Sequence, residues 1–134
     1  MLLRQHVEAH GLGEVFVSPV DCILSDTTVM QPDVVYLETA RSSLATARGI
    51  DGAPTLAVEI VSPSTARIDR STKLQMYARY RVPFYWIVDP EMRSIEAYTL
   101  PGGDVRLAGR IAGDDRGALP PFPALSLAVA TLWR

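Results

Sequence analysis

The sequence predicts one α/β (α+β) domain, and three observations carry that expectation. Leu56-Ala57-Val58-Glu59-Ile60-Val61 and Phe84-Tyr85-Trp86-Ile87-Val88-Asp89 are almost continuous apolar runs, the pattern of strands covered on both faces. Between them Leu74, Tyr77 and Ala78 recur at the spacing of a helix with one buried stripe. The chain of 134 residues has the length of a single domain, enough to bury a core without covalent staples.

The elements follow in order. Residues 2–10 suit a short helix, ended by the Gly11-Leu12-Gly13 breaker. Glu14 to Ser18 and Asp21 to Leu24 read as strand segments about Pro19. Asp33-Val34-Val35-Tyr36-Leu37 is a β-branched run opened by Pro32, which has no N–H for a ladder and therefore suits the start of a strand. Residues 38–54, rich in Ser, Ala, Gly and Thr, read as a loop with a helical turn near Ser42 to Arg48. Leu56 to Val61 is the first buried strand. Ser62-Pro63-Ser64-Thr65 ends it, and Asp69 or Ser71 can cap a helix that runs to about Tyr80 and stops at Pro83. Phe84 to Asp89 is the second buried strand, Asp89-Pro90-Glu91 starts a turn, and Ile95 to Leu100 is its hairpin partner. Val105 to Ile111 is one more strand, and Leu125 to Val129 packs as a terminal strand or helix. No internal repeat or low-complexity segment is evident.

Composition narrows the function. The single cysteine, Cys22, excludes an internal disulfide framework and a thiolate zinc site, and suits core packing in a reducing compartment. No apolar run approaches the roughly 18–20 residues of a membrane span, and the first residues lack a signal-peptide core, so the expectation is a cytoplasmic protein with no membrane partner. The net charge of −2 argues against a general nucleic-acid coat, which needs a broad basic face. Charge is nevertheless local: from Arg67 to Arg81 the bases Arg67, Arg70, Lys73, Arg79 and Arg81 meet one acid, Asp69.

Glu59 is the residue that demands explanation, because an ionised carboxylate in a buried strand loses several kcal/mol of hydration unless a cation or donor compensates it. Strand alternation places it on one face with Ala57 and Val61. Should the Asp33 strand lie beside it, two carboxylates converge, and such oxygen ligands suit Mg²⁺ or Mn²⁺, with the Ile60 carbonyl as a further ligand. The competing reading has equal weight: Glu59 pairs with an arginine of the following helix, and Asp33 hydrogen-bonds at its strand start.

These residues resemble the Uma-two family of restriction-endonuclease-like proteins, members of the PD-(D/E)xK nuclease superfamily. Gln31-Pro32-Asp33-Val34-Val35 is similar to the family's PD segment, and Val58-Glu59-Ile60-Val61-Ser62-Pro63-Ser64 to its core strand and turn. Asp69 through Lys73 to Tyr77 resembles its helix, and Val82 through Pro90 its next strand. The resemblance runs from about Gly13 to Leu100. It implies a restriction-endonuclease-like mixed β-sheet flanked by helices over residues 1–134, with Asp33 and Glu59 as ligands of Mg²⁺ or Mn²⁺. The implied activity is metal-dependent endonucleolytic hydrolysis of DNA phosphodiester bonds. Two departures stand out. Val61 occupies the position where the superfamily has lysine, which leaves Lys73 on the next helix to orient the attacking water or stabilise phosphate charge. The chain also begins late relative to the family, so that part of a covering layer is absent or comes from a second copy in a homodimer.

In that reading Asp33, Glu59 and Lys73 are catalytic, Asp33, Glu59 and Ile60 hold the metal, and Arg67, Arg70 and Arg79 steer the phosphate backbone. The alternative is a catalytically inactive scaffold or nucleic-acid-binding module of the same fold, favoured by the acidic balance and Val61. His6 and His10 stand at metal-compatible spacing but without a third ligand, so a surface helix face is their expected role. Ser62 and Ser64 lie in no nucleophile elbow and read as turn residues. Tyr77, Tyr80, Tyr85 and Trp86 read as core.

Overall fold

The computed structural model describes residues 2–62 and 69–128. Helix α1 (Leu2–Ala9) buries Leu3 and Val7, and the chain leaves it through Gly11 in the left-handed conformation. At Gly13 the backbone approaches Leu37 so closely that a Cβ would collide with the Leu37 carbonyl oxygen, and φ is +133°, a value suited to glycine. From there β1 (Gly13–Val17) pairs along its length with β4 (Val34–Glu38), after the short strands β2 (Cys22–Ile23) and β3 (Val29–Met30).

Residues 38–54 depart from the expected loop. The helical turn is a 3-10 turn at Thr39–Leu44, earlier than predicted, and β5 (Ala45–Thr46) with β6 (Gly49–Ile50) forms a ladder where the helical turn was expected. Four two-residue strands in the order β3-β2-β6-β5 make a small second sheet. Two-residue strands are too short to leave a periodic pattern. What anchors them is burial of Ile50 with Cys22, Val35 and Leu37.

The main sheet then continues through β7 (Leu56–Ile60), α2 (Leu74–Arg79), β8 (Phe84–Asp89), β9 (Ser94–Thr99) and β10 (Arg106–Ala112). Its order is β1-β4-β7-β8-β9-β10, with β7 and β8 parallel and the other neighbours antiparallel. Parallel neighbours require a crossover, and α2 lies in that connection. A π turn at Asp69–Lys73 leads into α2, where a regular α-helix was expected. The helix ends in a Schellman arrangement: Val82 N–H donates to Tyr77 O (3.0 Å) and Arg81 N–H to Ala78 O (3.2 Å), with Arg81 at φ 66° where glycine is usual. Pro83 follows this stop rather than causing it. Finally β11 (Arg116–Gly117) pairs with β12 (Leu127–Ala128); the last residue of the predicted terminal element, Val129, lies outside the described residues.

Alternation sorts the strands' side chains between two faces. Val34, Tyr36, Leu56, Val58, Trp86 and Ile95 pack beneath α1 with Phe122 and Leu127. Ala57, Val61, Tyr85 and Ile87 pack on the other face against Leu74, Tyr77 and Ala78 of α2. Among the described residues no helix is long and apolar enough to cross a membrane.

Candidate functional site

Glu59 lies on the α2 face and is 3% exposed. Its Oε2 accepts a hydrogen bond from the Tyr77 hydroxyl at 2.9 Å and lies 3.5 Å from Lys73 Nζ. Tyr77 and Lys73 are four residues apart, so one side of the helical segment presents both groups to the carboxylate. Burial and the adjacent Glu59 charge push the Tyr77 hydroxyl's pKa well up, which keeps it a neutral donor. The competing reading of Glu59 thus holds in altered form: among the described residues the cation beside it is Lys73 of the following helical segment.

Asp33 stands one residue before β4. Val34 is opposite Val58 in the antiparallel ladder, so the next step sets Asp33 opposite Glu59. Asp33 shares the alternation of Val35 and Leu37, and Glu59 that of Ala57 and Val61, which assigns both to the α2 face. Directly opposed residues on antiparallel strands have Cβ atoms about 4.5–5.5 Å apart, close enough for two carboxylates to share one cation. The Asp33 N–H donates to Val58 O (3.0 Å), and Asp33 Oδ2 accepts the Ile60 N–H at 2.7 Å. Oδ1 makes no hydrogen bond or ion pair with a described residue. The backbone of Ile60 therefore lies beside both acids, while its side chain, 52% exposed, alternates onto the α1 face.

The donor set fits a hard divalent cation with oxygen ligands: one buried carboxylate, one half-buried carboxylate and a strand-end carbonyl. It is a sparse set. Among the described residues no three His, Cys, Asp or Glu side chains cluster as a metal site. The His6 and His10 rings lie 4.4 Å apart, tilted, at the end of α1, and His10 Nδ1 bonds to the His6 carbonyl oxygen, so they form a local contact at the helix end.

The bases divide. Lys73 reaches the site. Arg70 does not reach Glu59 but engages Asp89 and Glu96, with Nη2 3.5 Å from Asp89 Oδ2 and Nη1 paired with Glu96 Oε1. Arg79 is exposed, with its guanidinium 5.9 Å from the Tyr80 ring, and sits about 200° around the helix from Tyr77. Arg67 lies outside the described residues, as do Pro63, Ser64 and Thr65 of the predicted turn. Tyr77, Tyr85 and Trp86 are core as expected, but the Tyr77 hydroxyl is also a working part of the site. Its place four residues after Lys73 was the signal for that role. Asp89 and Glu96 were not singled out; a carboxylate closing an apolar strand was the signal for Asp89.

Comparison with known proteins agrees with this architecture. A crystal structure from Anabaena variabilis, described as a "putative nuclease belonging to DUF820", superposes with a TM-score of 0.75 at 17% identity. The match covers 98% of this chain and 74% of that one, and it establishes the nuclease-like mixed fold. No curated protein matches the sequence. The model of the Uma2 family, described as "Putative restriction endonuclease", matches residues 1–130. With the match running through nearly all of its sequence, this chain belongs to the Uma2 family.

Proposed function

We propose that the protein is a metal-dependent endonuclease that hydrolyses phosphodiester bonds of DNA. The observation that carries the reading is the placement of Asp33 and Glu59 on one face of neighbouring strands, with Lys73 held against the buried Glu59. Family membership and a fold shared with the protein described as a "putative nuclease" support it.

Asp33, Glu59 and the Ile60 carbonyl would hold Mg²⁺ or Mn²⁺. Such a cation, when bound, supplies Lewis acidity toward a phosphodiester and makes a water nucleophilic at neutral pH. The protein's own groups do the rest. The Tyr77 hydroxyl and the Ile60 amide each fix one carboxylate, so the acids keep their orientation without a ligand. Lys73 offers an ammonium that can leave Glu59 to stabilise charge developing on phosphate or to orient the incoming water.

A silent scaffold of the same fold is the second reading, and one observation favours it: Glu59 is already compensated by Lys73 and Tyr77. Titration with Mn²⁺ separates the two. The nuclease reading expects heat of binding in the wild type and none in Asp33→Ala; identical traces for both proteins reject it. With Mg²⁺ or Mn²⁺, plasmid cleavage is expected from the wild type and is expected to fall by about 10²–10³ in Lys73→Ala and to vanish in Glu59→Gln. Unaltered nicking in both variants would mean the activity comes from elsewhere.

A further inference from the structure

Arg70 belongs by sequence to the basic stretch, but its side chain is spent on the sheet. Asp89 closes β8 and Glu96 lies within β9, and the register places Glu96 opposite Ile87. By alternation both acids face α2, and they are 7% and 8% exposed. Each is fixed by a second bond: Asp89 Oδ1 accepts the Met92 N–H (3.0 Å), and Glu96 Oε2 accepts the Tyr98 hydroxyl (3.0 Å). The Arg70 fork spans them, one nitrogen to each.

The sequence position of Arg70 gives this bridge its consequence. It lies in the π turn, three residues before Lys73, the last residue of that turn. Wide turns of this kind recur at functional sites because they re-aim the side chains that follow. Lysine itself is a flexible stem with a point charge, so its position at Glu59 depends on where its backbone is anchored. An arginine held by two rigid acids supplies such an anchor. A phosphate approaching the remaining N–H donors of this guanidinium would meet a charge already neutralised by two carboxylates, which would repel it.

We infer that Arg70 is a positioning residue: its bridge to Asp89 and Glu96 locks the π turn onto β8 and β9 and so sets Lys73 against Glu59. This rests on the role proposed for Lys73, and it withdraws Arg70 from the phosphate-steering set expected from the sequence.

The test compares wild type, Arg70→Gln, Glu96→Gln, Lys73→Ala and the double variant Arg70→Gln/Lys73→Ala on plasmid with Mn²⁺ across a salt series. Positioning predicts that Arg70→Gln lowers kcat about 10-fold or more with KM nearly unchanged, that Glu96→Gln does the same, and that the double variant is no slower than Lys73→Ala. A phosphate contact predicts instead a raised KM, a log–log salt slope reduced by about 0.9, and losses that multiply; that pattern overturns the inference. Amide hydrogen exchange at residues 70–74 in the same proteins reads the lock without any cleavage. Faster exchange in Arg70→Gln and Glu96→Gln is expected, and protection equal to wild type in both overturns the lock. A wild type that cleaves nothing refutes the nuclease reading, while the exchange data still decide whether Arg70 anchors the turn. If Arg70→Gln does not fold, Glu96→Gln and Arg70→Lys carry both measurements.

Discussion

The two faces of the central sheet are built from alternate residues of the same strands, yet they solve opposite problems. Under α1, Val34, Val58, Trp86 and Ile95 meet Phe122 and Leu127, and the polar tips of the aromatics go to backbone carbonyls, the Trp86 indole to Pro120 O and the Tyr36 hydroxyl to Leu12 O, both at 2.8 Å. Under α2, the apolar floor of Ala57, Tyr85 and Ile87 is bordered by Asp33, Glu59, Asp89 and Glu96, and the segment above supplies Arg70, Lys73 and Tyr77 to meet them. One face stabilises by area; the other spends desolvation to hold charges in fixed places. Keeping buried acids is costly unless each has a donor, and here Glu59, Asp89 and Glu96 all do.

Breaking the apolar face should give the largest effect on stability and none on the site. Phe122, 1% exposed between Tyr36 and Trp86, is expected to cost about 3–5 kcal/mol on truncation to alanine. Urea unfolding would register that loss, and Mn²⁺ titration of the folded variant should match wild type; a weakened titration would mean the faces are coupled.

On the other face a single oxygen atom is the lever. Tyr77→Phe removes the donor to Glu59, with an expected stability cost of about 1.5–3 kcal/mol for a bond to a charged group. Its sharper signature is a roughly 10–100-fold weaker Mn²⁺ affinity, typical of losing a partner that orients a ligand. Calorimetry with unchanged affinity would place Glu59 outside any metal site.

Alkali probes the same face. Burial, with Asp21 and Glu59 nearby, pushes the Cys22 thiol up to about 12 from 9.0, and Tyr77 is also raised. Folding thus favours the neutral forms, so the unfolded chain releases these protons first. The resulting stability is complete below pH 9 and declines as pH climbs from 9 toward 12, by at most about 1.4 kcal/mol per unit per group. Cys22→Ala should flatten that limb in denaturation curves collected from pH 8 to 11; an unchanged slope would discount the thiol.

The smallest effect belongs to the end of α2. Arg81 occupies a left-handed position that an L residue enters at a cost of about 1–2 kcal/mol, so Arg81→Gly should stabilise by about 1 kcal/mol or less once the glycine's added chain entropy is counted. Thermal unfolding that drops instead would show the Arg81 side chain contributing a contact of its own.

Much of this was legible beforehand. The strands at Leu56–Ile60 and Phe84–Asp89 announced themselves because burial on both faces leaves no room for polar alternation, and Glu59 stood out against that background. Leu74, Tyr77 and Ala78 marked the buried stripe of α2, and all three are buried. The small sheet of two-residue strands was not legible, since its stability comes from Ile50 meeting Cys22 and Val35 rather than from any local pattern. Nor was the split between the arginines: Arg70 and Arg79 read alike in a string, and the partners of Arg70, Asp89 and Glu96, lie elsewhere in the chain.

Local sequence by itself determined where the long buried strands and the stripe of α2 form, and that one acid in a buried strand must find a partner, because burial pattern and desolvation act residue by residue. Only the tertiary structure decided which partner that is. Register sets Asp33 opposite Glu59, the crossover lays Lys73 and Tyr77 over Glu59, and the pairing of β8 with β9 brings Asp89 and Glu96 within reach of Arg70. Electrostatic pairing depends on distance through space, and that distance exists only once the sheet has closed.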